Sequence, residues 1–429
     1  MAAEPLPSVS EILAGRRGED LDLNDRYLNP QMGRILRTIG FDKTWSGGEG
    51  AHLIDEDGER YLDLVGGYGA FAIGRNHPEA IAAIESVLAA HTANMPQLGV
   101  TLLSGVLAEQ LIGRSPASVA AMIPANSGTE AVEAAIKVAR AATGRRRILY
   151  ADHAFHGLTL GALSVNGNSE FRDGFGPLLE GCKAVAFGEL EVLERELERG
   201  DVAAFLVEPV QGKGVNLPPG DYLAGAQRLC RAAGTLFVCD EVQTGVGRTG
   251  RFLACEHWEL QPDLVCLAKA ISGGLPAAAF GGRADLMRLI EQGVSQMGTY
   301  NGNPLVAHVG LVMLTEILTP DAYRHLARLG IRLAQGCHAA IERFGIPAHT
   351  VDLGAKGCVS YRPTPMKDYR DFLDTRPELF AASYPWLLNR GIFMTPGDEE
   401  QWTLSVQHTE ADIDRYIAVF GEFCAALTG

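Results

Sequence analysis

Between about residues 80 and 300, short apolar runs alternate with longer segments that have helical periodicity. The apolar runs lie at residues 120–123, 147–150, 203–207, 235–239 and 264–267. Strands that alternate with helices are typical of a mainly parallel sheet with helices on both faces, and such sheets bind ligands at the carboxyl ends of their strands. The pattern therefore predicts an α/β domain with its functional site along that edge of the sheet.

The N-terminal part of the chain has a different pattern. Residues 1 to about 50 are polar, and with the turn signal Asn29-Pro30 they predict irregular structure. Apolar runs at residues 52–54 and 60–62 then flank an Asp-Gly pair at 57–58, which is suited to a tight hairpin turn. We expect this hairpin to belong to a second, smaller domain.

The C-terminal part continues that smaller domain. A long helical stretch after about residue 310 leads to apolar runs at 359–361 and 402–406. Thr409 and Asp412 then have the spacing of a capping box for a final helix. We predict an N-terminal segment with part of the small domain, a large cofactor-binding domain, and the C-terminal remainder of the small domain, at residues 1–80, 81–315 and 316–429.

Composition and charge exclude several classes of function. The 429 residues are 47% hydrophobic and carry a formal net charge of −15. Nucleic acids and anionic membranes require clustered Lys and Arg, so neither is an expected partner. An anionic substrate would need a local basic pocket.

The cysteines and the N-terminus bear on location. Eight cysteines are scattered without a C-x-x-C pair, which predicts reduced thiols in a cytoplasmic protein. His153, His156 and Cys182 lack the spacing of a zinc site, so we expect no metal. A signal-peptide pattern and a run of about 18 apolar residues are both missing from the sequence, so no membrane partner is expected.

Three chemical features meet at predicted strand ends. Lys269 follows the last apolar run, and Asp240 ends the run before it. A lysine amine can form a Schiff base with an aldehyde, and a carboxylate beside a pyridine nitrogen keeps that nitrogen protonated. Ser127-Gly128-Thr129 begins a predicted helix, whose free N–H groups favour a phosphate that Gly128 allows to approach closely. Together these features predict a site for an aldehyde cofactor with a ring nitrogen and a phosphate.

Further residues extend this site. Phe155 follows a predicted strand and can stack on a heteroaromatic ring, while Val242 can pack on the second face and Gln243 can reach a ring substituent. Each feature taken singly has an ordinary structural explanation. Phe155 could belong to the core, Ser127 could simply cap a helix, and Asp240 and Lys269 could face solvent. The prediction depends on their conjunction.

One glycine motif suggests another cofactor. Residues 245–250 satisfy G-x-G-x-x-G, the dinucleotide-binding pattern. That pattern should follow its strand directly and open a helix, whereas five residues, 240–244, separate it from the strand here. We therefore do not expect a nicotinamide cofactor.

Six motifs closely resemble those of the class III pyridoxal-phosphate aminotransferases, in the same order and across nearly the whole chain. They are Asn126-Ser127-Gly128-Thr129-Glu130-Ala131, Phe155-His156-Gly157, Glu208-Pro209-Val210-Gln211-Gly212, Asp240-Glu241-Val242-Gln243-Thr244-Gly245, Lys269 and Thr299-Tyr300-Asn301-Gly302-Asn303-Pro304. The resemblance implies pyridoxal 5′-phosphate (PLP) as cofactor and the α/β fold of type I PLP-dependent transferases, with a smaller α+β domain from both chain ends. It also implies a homodimer with active sites at the subunit interface.

The same resemblance implies a role for each matching residue. Gly128 and Thr129 hold the phosphate, Thr299 reaches it from the neighbouring subunit, Phe155 stacks on the ring, Asp240 pairs with the ring nitrogen, and Lys269 carries the Schiff base. Ser127, His156, Val242 and Gln243 also belong to the cofactor site, Glu208 belongs to it and borders the substrate, and Tyr68 aligns with a position that often faces substrate.

The reaction is less sharply defined. Family members that use α-amino acids typically have an arginine near the C-terminal small-domain strand, and residues 401–409 contain none. We therefore expect an aminotransferase that moves a primary, terminal amino group between an amine or amino acid and a carbonyl acceptor, through the pyridoxamine form of the cofactor. Residues 298–304 and 405–409 look more like the glutamate-1-semialdehyde 2,1-aminomutase branch, which stays an alternative. A non-catalytic binding module of the same fold is a minor alternative.

Overall fold

The computed structural model describes residues 7–40, 42–93, 100–366, 369–396 and 401–429. Its strands are β1 (Trp45–Glu49), β2 (His52–Asp55), β3 (Arg60–Asp63), β4 (Ala121–Ala125), β5 (Arg147–Ala151), β6 (Cys182–Val185), β7 (Val202–Val207), β8 (Leu236–Asp240), β9 (Leu264–Leu267), β10 (Ala278–Gly282), β11 (His349–Leu353), β12 (Lys356–Ser360), β13 (Ile392–Phe393) and β14 (Trp402–Thr403).

The helices surround these strands. They are α1 (Val9–Gly15), α2 (Asp20–Tyr27), α3 (Pro30–Thr38), α4 (Pro78–Ala89), α5 (Leu102–Ile112), α6 (Gly128–Thr143), α7 (Leu160–Leu163), α8 (Ser169–Arg172), α9 (Leu190–Leu197), α10 (Tyr222–Ala232), α11 (Ala284–Met287), α12 (Pro304–Val312), α13 (Pro320–Phe344), α14 (Tyr369–Leu373), α15 (Pro377–Leu388) and α16 (Glu410–Thr428).

A seven-stranded sheet forms the centre of the molecule, in the order β4-β10-β9-β8-β7-β5-β6. Strand β10 is antiparallel to both of its neighbours, and the other neighbouring pairs are parallel. The five strands predicted from apolar runs are confirmed as β4, β5, β7, β8 and β9. Apolar side chains are buried on both faces of the sheet, as expected for a sheet that is covered by helices on both sides.

The two ends of the chain come together beside this sheet. The predicted hairpin is confirmed, since β2 and β3 pair antiparallel, and β13 adds to β3 in parallel. Leu62 and Leu64 share a buried cluster with Trp402 and Tyr416. The capping box of Thr409 and Asp412 is also present, at the start of α16. The division at residues 80/81 and 315/316 stays a prediction.

The expectation of irregular structure before residue 50 is wrong. Helices α1 to α3 lie in this segment, and β1 follows them. Asn29 is the N-cap of α3 and Pro30 its first residue, because the Asn29 side chain accepts hydrogen bonds from the next backbone N–H groups.

Within the described ranges, no single helix is both long and apolar enough to cross a bilayer. The helical segments Pro304–Ile317 and Pro320–Phe344 reach the length and apolar composition of a membrane span only when they are taken together. They are bent by 76° relative to each other.

Candidate active site

A cavity of about 690 Å³ opens at the carboxyl edge of the central sheet. It is lined by Tyr68, Ser127, Gly128, Thr129, Phe155, His156, Glu208, Asp240, Val242, Gln243 and Lys269, together with other residues. These are all of the site residues proposed from the sequence except Thr299. Thr299 is exposed and does not line this cavity, so its assignment to the site of a neighbouring subunit stays a prediction.

Two strand ends place the chemical groups next to each other. Strands β8 and β9 are parallel neighbours, and Asp240 pairs in register with Cys266, three residues before Lys269. Gly128 follows β4, which has the same direction as β9 because both are antiparallel to β10. The fold thus brings an amine, a carboxylate and a helix N-terminus to one edge of the sheet.

Lys269 stands in an unusual backbone conformation. It opens a short 3-10 turn, Lys269–Ile271, and its φ is +50°, in the left-handed region that non-glycine residues seldom adopt. Burial lowers the pKa of its amine, while the carboxylates of Glu208 and Asp240 act in the opposite direction. A lowered pKa increases the fraction of neutral amine, which is the nucleophilic form.

Asp240 is buried and held from two sides. Its Oδ2 lies 2.6 Å from Nδ1 of His156, and its Oδ1 accepts the backbone N–H of Val242 at 3.0 Å. The backbone N–H of His156 in turn donates to Oδ1 of Asn166 at 2.6 Å. A carboxylate fixed in this way can stabilise a protonated ring nitrogen beside it.

Glu208 ties two segments of the cavity wall together. Its Oε1 accepts the backbone N–H of Phe155 at 3.0 Å, and its Oε2 accepts that of Gly212 at 2.8 Å. Burial raises the pKa of this carboxyl group. The ring of Phe155 meets that of Phe171 edge-on, with centroids 5.4 Å apart.

The helix N-terminus is closely packed around glycine. Ser127 is the N-cap of α6, and its side chain accepts the N–H of Glu130. A Cβ atom at Gly128 would lie 2.8 Å from Cγ1 of Val242, and one at Gly157 would lie 2.4 Å from Oγ1 of Thr129. This cradle of backbone N–H groups and hydroxyls suits a phosphate, so the residues present fit the phosphorylated cofactor.

Three polar residues of this region were missed by the sequence analysis. Lys213 and Gln401 line the cavity, and Lys356 is buried behind it on β12. The Nζ of Lys356 donates to Oε1 of Gln243, to Oε1 of Gln401 at 2.8 Å and to the carbonyl oxygen of Gly212 at 3.4 Å. Burial lowers the pKa of Lys356 to about 7, and the nearby Lys269 cation acts in the same direction. Only Lys213 had a sequence signal, because it directly follows the Glu208–Gly212 motif.

The G-x-G-x-x-G motif does not connect a strand directly to a helix, as dinucleotide binding requires. Residues 245–250 form a turn region after β8, and a short 3-10 helix, Ala254–Trp258, follows them. A Cβ atom at Gly247 would lie 2.0 Å from the ring of Tyr323, so this glycine allows close packing of a side chain. Among the described residues, no group of three or more His, Cys, Asp or Glu side chains could hold a metal ion.

Comparison with protein families gives one match that covers most of the chain. Residues 43–347 match the family described as aminotransferase class-III. A putrescine aminotransferase from Pectobacterium atrosepticum is 41% identical over 76% of this chain and 72% of its own length. A glutamate-1-semialdehyde 2,1-aminomutase from Geobacillus kaustophilus is 34% identical over 92% of this chain and 94% of its own length. The aminotransferase PigE from Serratia sp. is 37% identical over 82% of this chain, but the chain spans only 42% of that relative.

Solved structures extend the likeness to the whole fold. An ω-transaminase from Sphaerobacter thermophilus has a TM-score of 0.84 at 27% identity, over 98% of this chain and 100% of that one. A transaminase with PLP bound has a TM-score of 0.78 at 25% identity, over 90% and 91% of the two chains.

Proposed function

The chain belongs to the class III aminotransferases, PLP-dependent enzymes of fold type I, and we propose that it moves a terminal primary amino group between an amine or amino acid and a carbonyl acceptor. One observation carries the proposal: Lys269 and Asp240 lie at the ends of adjacent parallel strands, in the same cavity as the N-terminus of α6. This arrangement supports one site for an amine, a ring nitrogen and a phosphate.

Each part of the cofactor has protein groups suited to it. Ser127, Gly128 and Thr129 would hold the phosphate, Phe155 and Val242 the two ring faces, and Gln243 a ring substituent. When bound, PLP supplies the aldehyde that takes up the amino group and the ring that withdraws electrons from the neighbouring carbon. Asp240, oriented by His156, would hold a proton on the ring nitrogen.

Lys269 would have two roles. Its amine would bond the cofactor at rest, and after displacement by a substrate amine it would move a proton from the substrate carbon that bears the nitrogen to the carbon that the cofactor supplies as its aldehyde. Burial favours the neutral amine that both roles require. Glu208 and Tyr68 would border the substrate, since both line the cavity.

The terminal position of the amino group is proposed on two grounds. The stretch from Gln401 to Thr409 has no arginine for the carboxylate of an α-amino acid. The relative that is 41% identical is named a putrescine aminotransferase, and putrescine carries only terminal amines.

A 2,1-aminomutase reaction is the second candidate. It is favoured by the relative from Geobacillus kaustophilus, which aligns over 92% of this chain. A non-catalytic role is disfavoured, because Lys269 and Asp240 are both present and adjacent. We also propose a cytoplasmic homodimer in which Thr299 of the second copy completes the phosphate site.

The test uses the purified enzyme loaded with PLP. A panel of terminal amines and ω-amino acids should bleach the visible absorbance of the bound cofactor, with release of the matching carbonyl product. Borohydride should lock the cofactor onto Lys269, as read by peptide mass spectrometry, and Lys269→Ala should abolish both signals. Isomerisation of glutamate-1-semialdehyde without bleaching by any amine of the panel would replace the proposal by the aminomutase.

A further inference from the structure

The wall of the cavity carries a cation that none of the roles above uses. Lys213 lines the cavity, and its side chain is 11% exposed. Its Nζ lies 4.4 Å from the ring centroid of Phe171 and 3.2 Å from Oε1 of Glu170. The Glu170 side chain is 64% exposed, so water screens this ion pair strongly.

The position of Lys213 is fixed relative to the proposed cofactor ring. The preceding residue, Gly212, donates its N–H to Glu208, and the other oxygen of Glu208 accepts the N–H of Phe155. Phe171, beneath the Lys213 ammonium, meets Phe155 edge-on. One aromatic ring therefore separates the ammonium from the ring that would stack on the cofactor, and both Lys213 and Phe171 line the cavity.

Two more cations are buried behind the same wall. Lys356 donates to the carbonyl oxygen of Gly212, and Arg248 is close enough to lower the pKa of Lys356 further. Nη1 of Arg248 donates to the carbonyl oxygen of Leu404 at 2.7 Å, whereas its buried Nη2 has no hydrogen-bond partner among the described residues.

The carboxylates of Glu208 and Asp240 are already held by other partners in the cavity wall. Both oxygens of Glu208 accept backbone N–H groups, and both oxygens of Asp240 have partners in His156 and Val242. The ammonium of Lys213, which lines the cavity, attracts an anion and repels a second ammonium group.

We propose that Lys213 binds a carboxylate at the end of the donor that is distal to the transferred amine, so that the enzyme selects ω-amino acids over diamines. The inference rests on the proposed function and adds a specificity residue to it. The donor carboxylate would compete with the exposed Glu170 for the ammonium. A charge-assisted hydrogen bond in a site shielded from water would then discriminate between donors that differ only at this end.

The test compares three donors of matched chain length on the PLP-loaded enzyme: 4-aminobutanoate, 1,4-diaminobutane and butylamine. The wild type should have the highest kcat/KM for 4-aminobutanoate. Lys213→Met should reduce the preference for 4-aminobutanoate over butylamine about 10- to 100-fold, chiefly through KM, because a hydrogen bond to a charged group is lost. Lys213→Arg should retain most of the preference.

Two further variants separate the interpretations. Glu170→Gln removes the competing carboxylate and should lower KM for 4-aminobutanoate several-fold. Lys183→Met, which removes a half-exposed lysine on β6 that pairs with Glu196, should leave the preference unchanged. Bound PLP is measured in every variant, so a folding defect is recognised by loss of the cofactor.

The possible failures are distinguishable. If no amine of any kind bleaches the cofactor, the proposed function itself is wrong. If butylamine and 1,4-diaminobutane react while 4-aminobutanoate is not preferred, the aminotransferase stands and the role of Lys213 is refuted. A Lys213→Met enzyme that changes all three donors equally refutes that role as well.

Discussion

Nδ1 of His156 lies 2.6 Å from Oδ2 of Asp240, and both side chains are almost completely buried. A neutral imidazole that carries its proton on Nδ1 donates this hydrogen bond to the carboxylate oxygen. The imidazole is itself fixed through its backbone N–H, which donates to Asn166. His156 is therefore an orienting group for the carboxylate that would face the ring nitrogen of PLP.

Substitution of His156 by leucine should weaken PLP binding. The change removes the donor from Oδ2 of Asp240, and a hydrogen bond to a charged group contributes about 1.5–3 kcal/mol. The Kd for PLP should rise by up to about 10- to 100-fold, measured by titration of the apoenzyme. His338→Leu, at a half-exposed position on α13, should leave Kd unchanged. An unaltered Kd in His156→Leu would show that Asp240 needs no orienting partner.

Substitution of Gly128 by alanine should disturb the phosphate end through Val242. The added Cβ would lie 2.8 Å and 3.0 Å from the two methyl carbons of Val242, and overpacking of this kind costs about 1–3 kcal/mol. PLP bound per subunit should fall, and a second change, Val242→Ala, should restore part of it because the clash is removed. Gly105→Ala on α5 meets nothing within 4 Å and should have no effect. Strictly additive effects of the two substitutions would contradict direct contact.

The core of the site could be predicted because its residues stand at strand ends. An apolar run that ends at Asp240, and another that leads to Lys269, are visible in the sequence, and parallel neighbours bring such ends together. The missed strand β10 shows the opposite case. Its sequence, Ala-Ala-Phe-Gly-Gly, has no β-branched residue, and a Cβ atom at Gly282 would lie 2.1 Å from the carbonyl oxygen of Asp263. Its glycines reflect the close approach of a neighbouring backbone, which the sequence does not reveal.

The second layer of the site could not be predicted for a similar reason. Lys356 reaches Gln243 across 113 residues of sequence and Gln401 across 45, so its role depends on how the sheet of β11, β12 and β14 packs against the central sheet. In the sequence it is one lysine between alanine and glycine. Local signals were also ambiguous at Asn29-Pro30, where a turn and a helix start use the same residues.

Acid should destabilise the protein through His408. Burial lowers the pKa of His408 to about 4, and its Nδ1 accepts the backbone N–H of Ser405 at 3.0 Å, which requires the neutral ring. In the unfolded chain this histidine has its ordinary pKa of about 6.5 and binds a proton below that pH. The free energy of unfolding therefore falls as pH drops from about 6.5 to about 4, by roughly 3 kcal/mol in all. His408→Asn, which keeps an acceptor near the Nδ1 position, should show a smaller loss in urea unfolding over this window. His338→Asn should show the same dependence of unfolding free energy on pH as the wild type. The same dependence in His408→Asn would exclude His408 as the source of the acid destabilisation.

The charge of Lys356 should make recognition of a carboxylate donor depend on pH. Because burial lowers the pKa of Lys356 to about 7, this side chain is cationic at pH 6 and mostly neutral at pH 8.5. Loss of a unit charge behind the wall that carries Lys213 removes on the order of 1 kcal/mol of attraction for the donor carboxylate, which is roughly a fivefold effect. The ratio of KM for 4-aminobutanoate to KM for butylamine should therefore rise by this factor across the window in the wild type. The ratio cancels the titration of Lys269 and of the donor amine, which both donors share. Lys356→Met should abolish the rise, and a ratio that still climbs in this variant would assign the pH dependence to another group.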